Sequence, residues 1–400
     1  MSFDKLPICI LQYISDNYLK FYDIITFSQV NKQCHKIRIK DFWNISYILK
    51  NILKNNILIN YKYLEKLYLA CNKNVTNLNY LENLKELDIS NCPQIKNNHI
   101  EKLVNLETLC LYDENNMCIG NCISNDGIKY LTKLKMLNVN GNRYITELDH
   151  LVNLQVLHAG NDPMYDFGFC AINNTSIKNL TNLTELDIQC NEHVNDISSL
   201  TNLKILNACA SNIDDKSIKY MTKLVKLDIS QNEHITNIFH LVNLKTLKVI
   251  NDSGVDNDIN YLTNLTELNI SSNKSIKNIN NLINLNKLTA KFNSDIDNDS
   301  INSLTNLTEL NISQNNKITN IDHIVKLKKL SILYNSGIDN DINKFTNLTE
   351  LDVSFNKNIT NLNNLINLNK LTAKFDSVNK ESIKNLNIKE LIVDHNNNFK

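Results

Sequence analysis

The stretch LTELNISQNNKITNIDHIVK, residues 307–326, decides the fold of this 400-residue chain. It opens with the pattern L-x-x-L-x-L-x-x-N, which runs from Leu307 to Asn315. The pattern recurs sixteen times, at steps of 20 to 29 residues. The units begin at Leu64, Leu84, Leu106, Leu134, Leu154, Leu183, Leu203, Leu224, Leu244, Leu265, Leu285, Leu307, Leu327, Leu348, Leu368 and Ile388. Because a unit this short cannot bury its own apolar face, the units must stack on one another.

This period and motif predict a leucine-rich-repeat solenoid over residues 61–400, with about 16 repeats. Around L-x-L, successive side chains point to opposite faces of a short strand. Leu310 and Ile312 are therefore expected to face the core, and Glu309 and Ser313 to face outward. Sixteen such strands would form a parallel sheet along the concave face of a horseshoe or arc, an α/β solenoid.

The asparagine that closes each motif is predicted to be buried, with its amide bonded to the backbone of the adjoining loop. Examples are Asn191, Asn232, Asn273, Asn315 and Asn356. From Leu183 onward, two kinds of unit alternate. One kind resembles residues 307–326 and has no helical stretch. The other is LNKLTAKFNSDIDNDSINSLTN, residues 285–306, in which D-N-D-S-I predicts a short capped helical turn on the convex side.

The outward strand positions alternate in charge from one unit to the next. The acidic positions are Glu185, Asp187, Asp228, Glu267, Glu309, Glu350 and Asp352. The basic positions are Lys248, Lys287, Lys291, Lys329, Lys370 and Lys374. One interpretation is a charge ladder between neighbouring strands, worth about 0.2–1 kcal/mol per pair. The other is a polar docking face for a protein partner, and the two interpretations are compatible.

The first half of the repeats is less regular than the second. Two inserts, Tyr112–Lys129 and Gly160–Lys178, are predicted to project as loops, and all ten cysteines lie at or before Cys209. This irregularity favours the first half as the part shaped for an individual partner. Cys71 and Cys92 stand at or beside the closing asparagine position, where a small buried side chain is expected.

Composition and missing motifs exclude several classes of function. Lys+Arg and Asp+Glu both total 42, and this zero net charge argues against nucleic-acid and anionic-membrane binding. No stretch approaches the roughly 20 apolar residues of a membrane span. The N-terminus lacks the basic region and small-residue cleavage site of a signal peptide, so a cytoplasmic or nuclear location is expected rather than secretion. No P-loop, G-x-G-x-x-G, H-E-x-x-H or G-x-S-x-G occurs, so we expect no catalytic residue, cofactor or metal site.

Residues 1–60 follow a different pattern, which predicts a small all-α helical bundle. Pro7 suits the first turn of a helix, and apolar residues follow it at helical spacing. A second helix is predicted from Asp23 and a third after Phe42-Trp43. Every solenoid needs a cover for its open end, so the bundle could serve only as an N-terminal cap.

The residue order in LPICILQYISDNYLKFYDIITFSQVNKQCHKIRIKDFWNISYIL, residues 6–49, resembles an F-box. The opening Leu6-Pro7, the run Ser28-x-Val30-Asn31-Lys32-x-x-His35 and the late Trp43 carry the likeness. The resemblance implies that the bundle docks on the Skp adaptor of a cullin–RING ubiquitin ligase, while the repeats hold a protein substrate. It implies adaptor contacts from Leu6, Pro7, Ile10, Leu11, Ile14, Ile24 and Val30. The alternative for each of them is packing inside the bundle.

Three hypotheses for the whole chain follow from these patterns. The leading one is the substrate receptor of a ubiquitin ligase, of F-box and leucine-rich-repeat type. The second is a repeat scaffold or binding module, in which residues 1–60 form only a cap. The third is a secreted adhesin, because the phrase LTNLTELNIS resembles internalin repeats, although the missing signal peptide counts against it.

Overall fold

A computed structural model describes residues 41–42, 53–112, 123–161, 170–251, 253–334, 336–338, 340–359, 361–375, 378 and 381–393. The chain forms two compact units, Met1–Asn202 and Leu203–Lys400. The predicted bundle of residues 1–60 lies almost wholly outside the described residues, as does most of each predicted insert.

Each unit contains short strands, one per repeat, and neighbouring strands pair in parallel with their motif leucines in register. In the N-terminal unit the strands are β1 Asp41–Phe42, β2 Lys66–Tyr68, β3 Glu86–Asp88, β4 Thr108–Cys110, β5 Met136–Asn138, β6 Val156–His158 and β7 Glu185–Asp187. In the C-terminal unit they are β8 Ile205–Asn207, β9 Lys226–Asp228, β10 Thr246–Lys248, β11 Glu267–Asn269, β12 Lys287–Thr289, β13 Glu309–Asn311, β14 Lys329–Ser331, β15 Glu350–Asp352, β16 Lys370–Thr372 and β17 Glu390–Ile392. The sixteen predicted strands are β2 to β17, so the leucine-rich-repeat solenoid is confirmed.

Short helices stand between some of the strands. The α-helices are α1 Asn55–Leu58, α2 Asn125–Ile128, α3 Asn174–Ile177, α4 Asp215–Ile218 and α5 Asn298–Ile301, and the 3₁₀ helices are Asn97–His99, Asn257–Tyr261, Asn340–Lys344 and Glu381–Ile383. The capped turn predicted at D-N-D-S-I is α5. There the Asp297 carboxylate accepts a hydrogen bond from the Ser300 backbone N–H (3.0 Å) and another from the Ser300 hydroxyl (2.7 Å). The first turn of α5 is thus satisfied by its own side chains.

The core is built from the motif leucines and isoleucines. Leu310 and Ile312 are buried as predicted, and Ala290 fills the third core position of its unit without exposed surface. The prediction for Ser313 is wrong, because this side chain is only 5% exposed. Its hydroxyl lies between strands, accepting from the Leu333 backbone N–H at 3.2 Å and donating to Asn311 Oδ1 at 2.8 Å. A serine just after the strand therefore joins neighbouring units.

The closing asparagines are buried and hydrogen-bonded as predicted. The Asn191 amide Nδ2 donates to the Ala159 carbonyl (2.8 Å) and the Ile172 carbonyl (3.1 Å), and its Oδ1 accepts from the His193 N–H (2.9 Å). Asn232, Asn273, Asn315 and Asn356 are each no more than 1% exposed. Each of these amides therefore joins its own repeat to the preceding repeat.

The two cysteines near this position differ from each other. Cys92 takes the asparagine's place, is buried, and its thiol donates to the Leu69 carbonyl at 3.2 Å. Cys71 instead is exposed and has a positive φ of 64°, because Asn72 occupies the buried position beside it. Burial was therefore predicted correctly for Cys92 and wrongly for Cys71.

Contacts typical of a repeat begin before residue 61. The Asn72 amide donates to the Leu53 carbonyl (3.3 Å), as the Asn232 amide does to the Ile213 carbonyl (3.1 Å). The Asn55 side chain in α1 accepts a hydrogen bond from the backbone N–H of Thr76. Asn298, the first residue of α5, accepts the equivalent hydrogen bond from Thr319 in the next repeat. The strand β1, which the sequence did not predict, adds to the same sheet.

Candidate functional site

The outward sheet face of the C-terminal unit carries a row of alternating charges, which we call the charge ladder. In strands β12 to β17 the row consists of Lys287, Glu309, Lys329, Glu350, Lys370 and Glu390. These residues stand directly opposite one another because the parallel strands pair without slippage. The alternation read from the sequence is therefore a physical row of opposite charges along one face.

The charges of the ladder neutralise one another in space. Lys329 Nζ lies 3.7 Å from a Glu309 carboxylate oxygen and 3.1 Å from one of Glu350, and Lys287 Nζ lies 3.7 Å from the other Glu309 oxygen. Lys370 Nζ contacts Glu390 at 2.6 Å. The hydrogen bond to Glu350, together with the nearby Glu309 charge, raises the pKa of Lys329 above its usual value. The ladder thus satisfies its own charges rather than presenting a field of one sign.

Some predicted face residues lie beside the ladder or pair elsewhere. Lys248 contacts Asp228 at 3.1 Å, in the second outward row of β9 and β10. Glu267 is exposed and in register with Lys287. Lys291 lies beyond its strand, with Nζ 5.0 Å from the centre of the Phe292 ring. Neither Lys291 nor Lys374 belongs to a ladder strand, because each lies two residues past the end of one.

Two of the acidic residues that were predicted for the outward face form hydrogen bonds with the turn that follows their own strand. Asp352 Oδ1 accepts from both the backbone N–H and the hydroxyl of Ser354, at 3.0 and 2.8 Å. Asp187 Oδ1 accepts from the Gln189 N–H at 3.0 Å. Both carboxylates therefore stabilise the chain where it leaves the strand, a role that alternation of charge does not reveal.

Sequence reasoning missed a side chain on the face of the N-terminal unit. Glu185 pairs with His158 of the neighbouring strand, with Nε2 and Oε1 3.1 Å apart. The outward row that contains Glu185 also contains the half-buried apolar residues Met136 and Val156. The signal was present, because His158 stands at an outward position of the motif, but that unit falls outside the strict alternation.

A second missed group is a row of serines that follows the strands. Ser230, Ser271, Ser313 and Ser354 are at most 5% exposed. Each hydroxyl accepts a backbone N–H from the next unit, at 3.2 to 3.3 Å. The recurrence of serine two residues before the closing asparagine could have revealed this row.

A shallow groove of about 300 Å³ runs across strands β12 to β16. It is lined by ladder residues and by Thr289, Asn311, Ser331 and Thr372 from the second outward row. Within the described ranges, no group of His, Cys, Asp and Glu side chains could hold a metal ion. The helices of the same ranges are all too short to span a lipid bilayer. The side chains that line the groove are thus mainly charged or hydrogen-bonding ones.

The predicted adaptor contacts lie outside the described residues. They are Leu6, Pro7, Ile10, Leu11, Ile14, Ile24 and Val30. Their role as adaptor contacts stays a prediction from the F-box resemblance. The first residue that the structure describes is Asp41.

Comparison with known proteins gives the same architecture. A leucine-rich-repeat family model matches residues 261–278, 303–321 and 346–362. A search of curated proteins finds no match. An internalin, InlF of Listeria monocytogenes, is similar in structure, with a TM-score of 0.51 and 24% identity over 73% of this chain and 87% of that chain.

Two further solved structures have the same likeness. A leucine-rich-repeat protein of Leptospira interrogans has a TM-score of 0.55 and 20% identity, over 84% of this chain and 95% of that chain. TLR13, solved in complex with ssRNA13, has a TM-score of 0.55 and 20% identity, over 82% of this chain and 57% of that chain. At these identities the likeness establishes the fold alone. The fold of the chain is that of a leucine-rich-repeat solenoid.

Proposed function

We propose that this chain is a protein-interaction receptor that presents a bound protein to a cullin–RING ubiquitin ligase. In this proposal the F-box-like segment docks on a Skp adaptor, and the outward sheet face of the repeats holds the substrate. The observation that carries the binding role is the sheet face itself, a regular surface of exposed polar side chains over a fully buried core. The adaptor role is supported by the residue order of positions 6–49.

The charge ladder suits a partner recognised by matching pattern rather than by net charge. Because Lys329 is held between two glutamates, a partner with one large charge gains little by approaching this row. A partner that offers its own polar groups can exchange hydrogen bonds with the ladder and with the Thr and Asn side chains beside it. The chain thus needs no chemistry of its own, and we expect it to be a non-enzymatic receptor in the cytoplasm or nucleus.

A pull-down with a purified Skp adaptor tests the ligase part of the proposal. The full-length chain is expected to retain the adaptor, and a Leu6→Asp/Ile10→Asp variant is expected to lose it. The variant replaces two apolar side chains by carboxylates, and burying a carboxylate in the adaptor interface without water around it is unfavourable. A matched control, Val325→Asp/Ile366→Asp, adds the same charge at positions that are 62% and 72% exposed in the repeats. It should bind the adaptor like the original chain.

The second candidate is a repeat scaffold whose first residues only cover the solenoid. The repeat contacts of Leu53 and Asn55 favour it, because they make the chain before residue 61 continuous with the sheet. If the intact chain fails to bind the adaptor, the scaffold function stands and the ligase function is wrong. If the Leu6→Asp/Ile10→Asp variant keeps its fold by circular dichroism but loses the adaptor, the scaffold explanation is insufficient.

A further inference from the structure

Three aromatic side chains stack on one another at one edge of the C-terminal unit. Tyr334 and Phe355 have ring centres 4.5 Å apart at an interplanar angle of 9°, and Phe355 and Phe375 have centres 3.8 Å apart at 21°. The residues come from three consecutive repeats and follow strands β14, β15 and β16. We call them the aromatic stack.

The stack occupies a position where the backbone disfavours bulky side chains. In most of the described repeats the residue before the closing position of the motif has a positive φ, and here the values are 59° for Tyr334, 62° for Phe355 and 58° for Phe375. This left-handed region is uncommon for any residue with a side chain, and especially for large ones. Five other repeats of the unit place small or polar residues there, and one places the aromatic residue Phe292, whose φ is 55°. The small or polar residues are Ala210, Gln231, Asn251, Ser272 and Gln314.

The stack also gains little from burial. Tyr334 is 41% exposed and Phe375 is 51% exposed, whereas the motif leucines of the same units are buried. Replacing polar residues by two exposed aromatic residues and one half-buried one, Phe355, at strained positions is unfavourable for solubility and contributes little to the core. The repeat fold therefore does not require these side chains, which points to an interaction as their use.

The geometry of the rings indicates the kind of partner. Both faces of Phe355 are covered by its neighbours, so its accessible part is the ring edge. Ring edges carry partial positive charge and prefer the face of another aromatic ring, in a T-shaped contact. Nucleobases bind protein aromatics through open ring faces. Tyr334 and Phe375, the end rings, each keep one face outside the stack, but a single-stranded nucleic acid also needs basic side chains for its phosphates, and Lys329 and Lys370 of the ladder are paired with glutamates. The stack thus favours a protein partner with an aromatic side chain over a single-stranded nucleic acid.

The surroundings are consistent with a protein segment. Asp352 and Thr372 lie at the ends of the strands that lead to the stack, in the second outward row next to the charge ladder. Because its charges are already paired, the ladder adds no large field of one sign beside the stack that would attract or repel a partner. An extended segment could use its backbone for the polar row and one aromatic side chain for the ring edges.

We propose that the aromatic stack is the anchor point for the protein partner of this chain, and that the partner inserts an aromatic side chain against the ring edges. The inference deepens the proposed receptor function, since it names where and how the partner binds. It rests on the protein-binding part of that function and not on adaptor docking.

Selection from a random peptide library displayed on phage tests this inference. The full-length chain is the target, and a Tyr334→Gln/Phe355→Gln/Phe375→Gln variant is the counter-target. Peptides enriched on the original chain should share a Trp, Tyr or Phe. A synthetic peptide of that sequence should bind the variant at least about tenfold more weakly, which is the effect of losing one strong anchor. Changing the shared aromatic residue of the peptide to Ala should produce a similar loss.

A matched control removes three exposed apolar side chains elsewhere in the same unit. Tyr220→Gln/Val325→Gln/Ile366→Gln changes residues that are 60%, 62% and 72% exposed, and peptide binding should be unaffected. If the stack only supports the fold, the stack variant should unfold at lower temperature. We expect no loss of stability, because Gln231 and Gln314 already adopt this backbone conformation.

Equal binding of the peptide to the stack variant would overturn the inference, as would selected peptides that share no aromatic residue, or no enrichment at all. The adaptor pull-down tests residues 1–60, far from these positions in sequence. A failed pull-down therefore removes the ligase function and leaves the peptide result standing. A failed peptide result removes the anchor and leaves the adaptor result standing.

Discussion

The outward sheet faces of the two units are built on one motif but differ in chemistry. In the C-terminal unit, the first outward row is charged at almost every strand and forms the paired ladder of Lys287 through Glu390. In the N-terminal unit the same row contains Thr108, Met136 and Val156 among its charges. The core beneath both faces is the same, so the fold does not determine which side chains face outward.

This difference shows that a residue pattern copied by duplication says little about how the protein binds a partner. Copying a pair of units propagates a Glu beside a Lys, and the resulting face is satisfied internally. A position that departs from the pattern is one that duplication does not explain. In the C-terminal unit the clearest departure is the aromatic stack, and in the N-terminal unit it is the His158–Glu185 pair. The sequence favours the irregular first half as the part shaped for a partner, and the aromatic stack adds a candidate region in the C-terminal unit.

The largest expected effect comes from the buried asparagines that both units share. Asn191→Ala in the N-terminal unit and Asn232→Ala in the C-terminal unit each leave two carbonyl groups without a donor. Each should lower the free energy of unfolding by at least about 2 kcal/mol. Urea unfolding followed by circular dichroism measures the loss.

Thiol labelling shows which unit opens in each of these variants. Burial raises the pKa of the Cys170 thiol to about 12, so this group is protected and protonated while the N-terminal unit is folded. Asn191→Ala should speed alkylation of Cys170, mapped by mass spectrometry, more than Asn232→Ala does. If the two variants speed Cys170 alkylation equally, both units open together. The two units would then not differ in stability.

A smaller effect separates the helix caps of the two units by their response to pH. The cap of α5 is the carboxylate of Asp297, whereas that of α3 is the neutral amide of Asn173. The Ser300 hydroxyl donates to Asp297 and holds the pKa of that carboxyl below its usual value. Asp297→Ala and Asn173→Ala should each cost about 1 kcal/mol at neutral pH.

Of the two caps, only the Asp297 carboxylate should lose its contribution to stability when the pH is lowered. Because the folded-state pKa of Asp297 lies below its unfolded value, its contribution is complete above the unfolded pKa of about 3.9 and is lost as pH falls through the folded value. Urea unfolding at neutral pH and near pH 3 measures this loss. Asp297→Asn should remove that part of the acid sensitivity while retaining the cap, as Asn173 does. An Asp297→Asn variant that is as acid-sensitive as the original chain would contradict the assignment.

The smallest expected effect is on the charge ladder itself. Glu309→Gln removes the acid that lies between Lys287 and Lys329, and the ion pairs there are exposed to solvent. The melting temperature should stay within about 2 °C of the original value, and the difference should vanish near 1 M salt. A much larger decrease would show that the ladder stabilises the sheet more than exposed ion pairs usually do.

The number of repeats, the strands and the buried core could all be predicted from residue spacing. Leucine at fixed intervals leaves one stacking solution, and charge alternation becomes a ladder once parallel strands pair in register. The exposure of Cys71 and the burial of Ser313 could not be predicted, because they depend on how the chain bends after the strand. The local carboxylate contacts of Asp352 were missed for the same reason, since sequence alternation does not distinguish a side chain on the face from one folded back onto its own turn.

The sequence by itself determined a leucine-rich-repeat solenoid, its polar outward rows and its alternating charges, because each follows from a pattern within one unit or between neighbours. Only the tertiary structure decided which charges pair, which serines join neighbouring repeats and which aromatic rings meet. Those outcomes depend on distances of a few ångströms between residues about 20 positions apart. The aromatic stack is the clearest case: three residues that look unrelated in the chain meet because a left-handed residue recurs at the same position of three consecutive repeats.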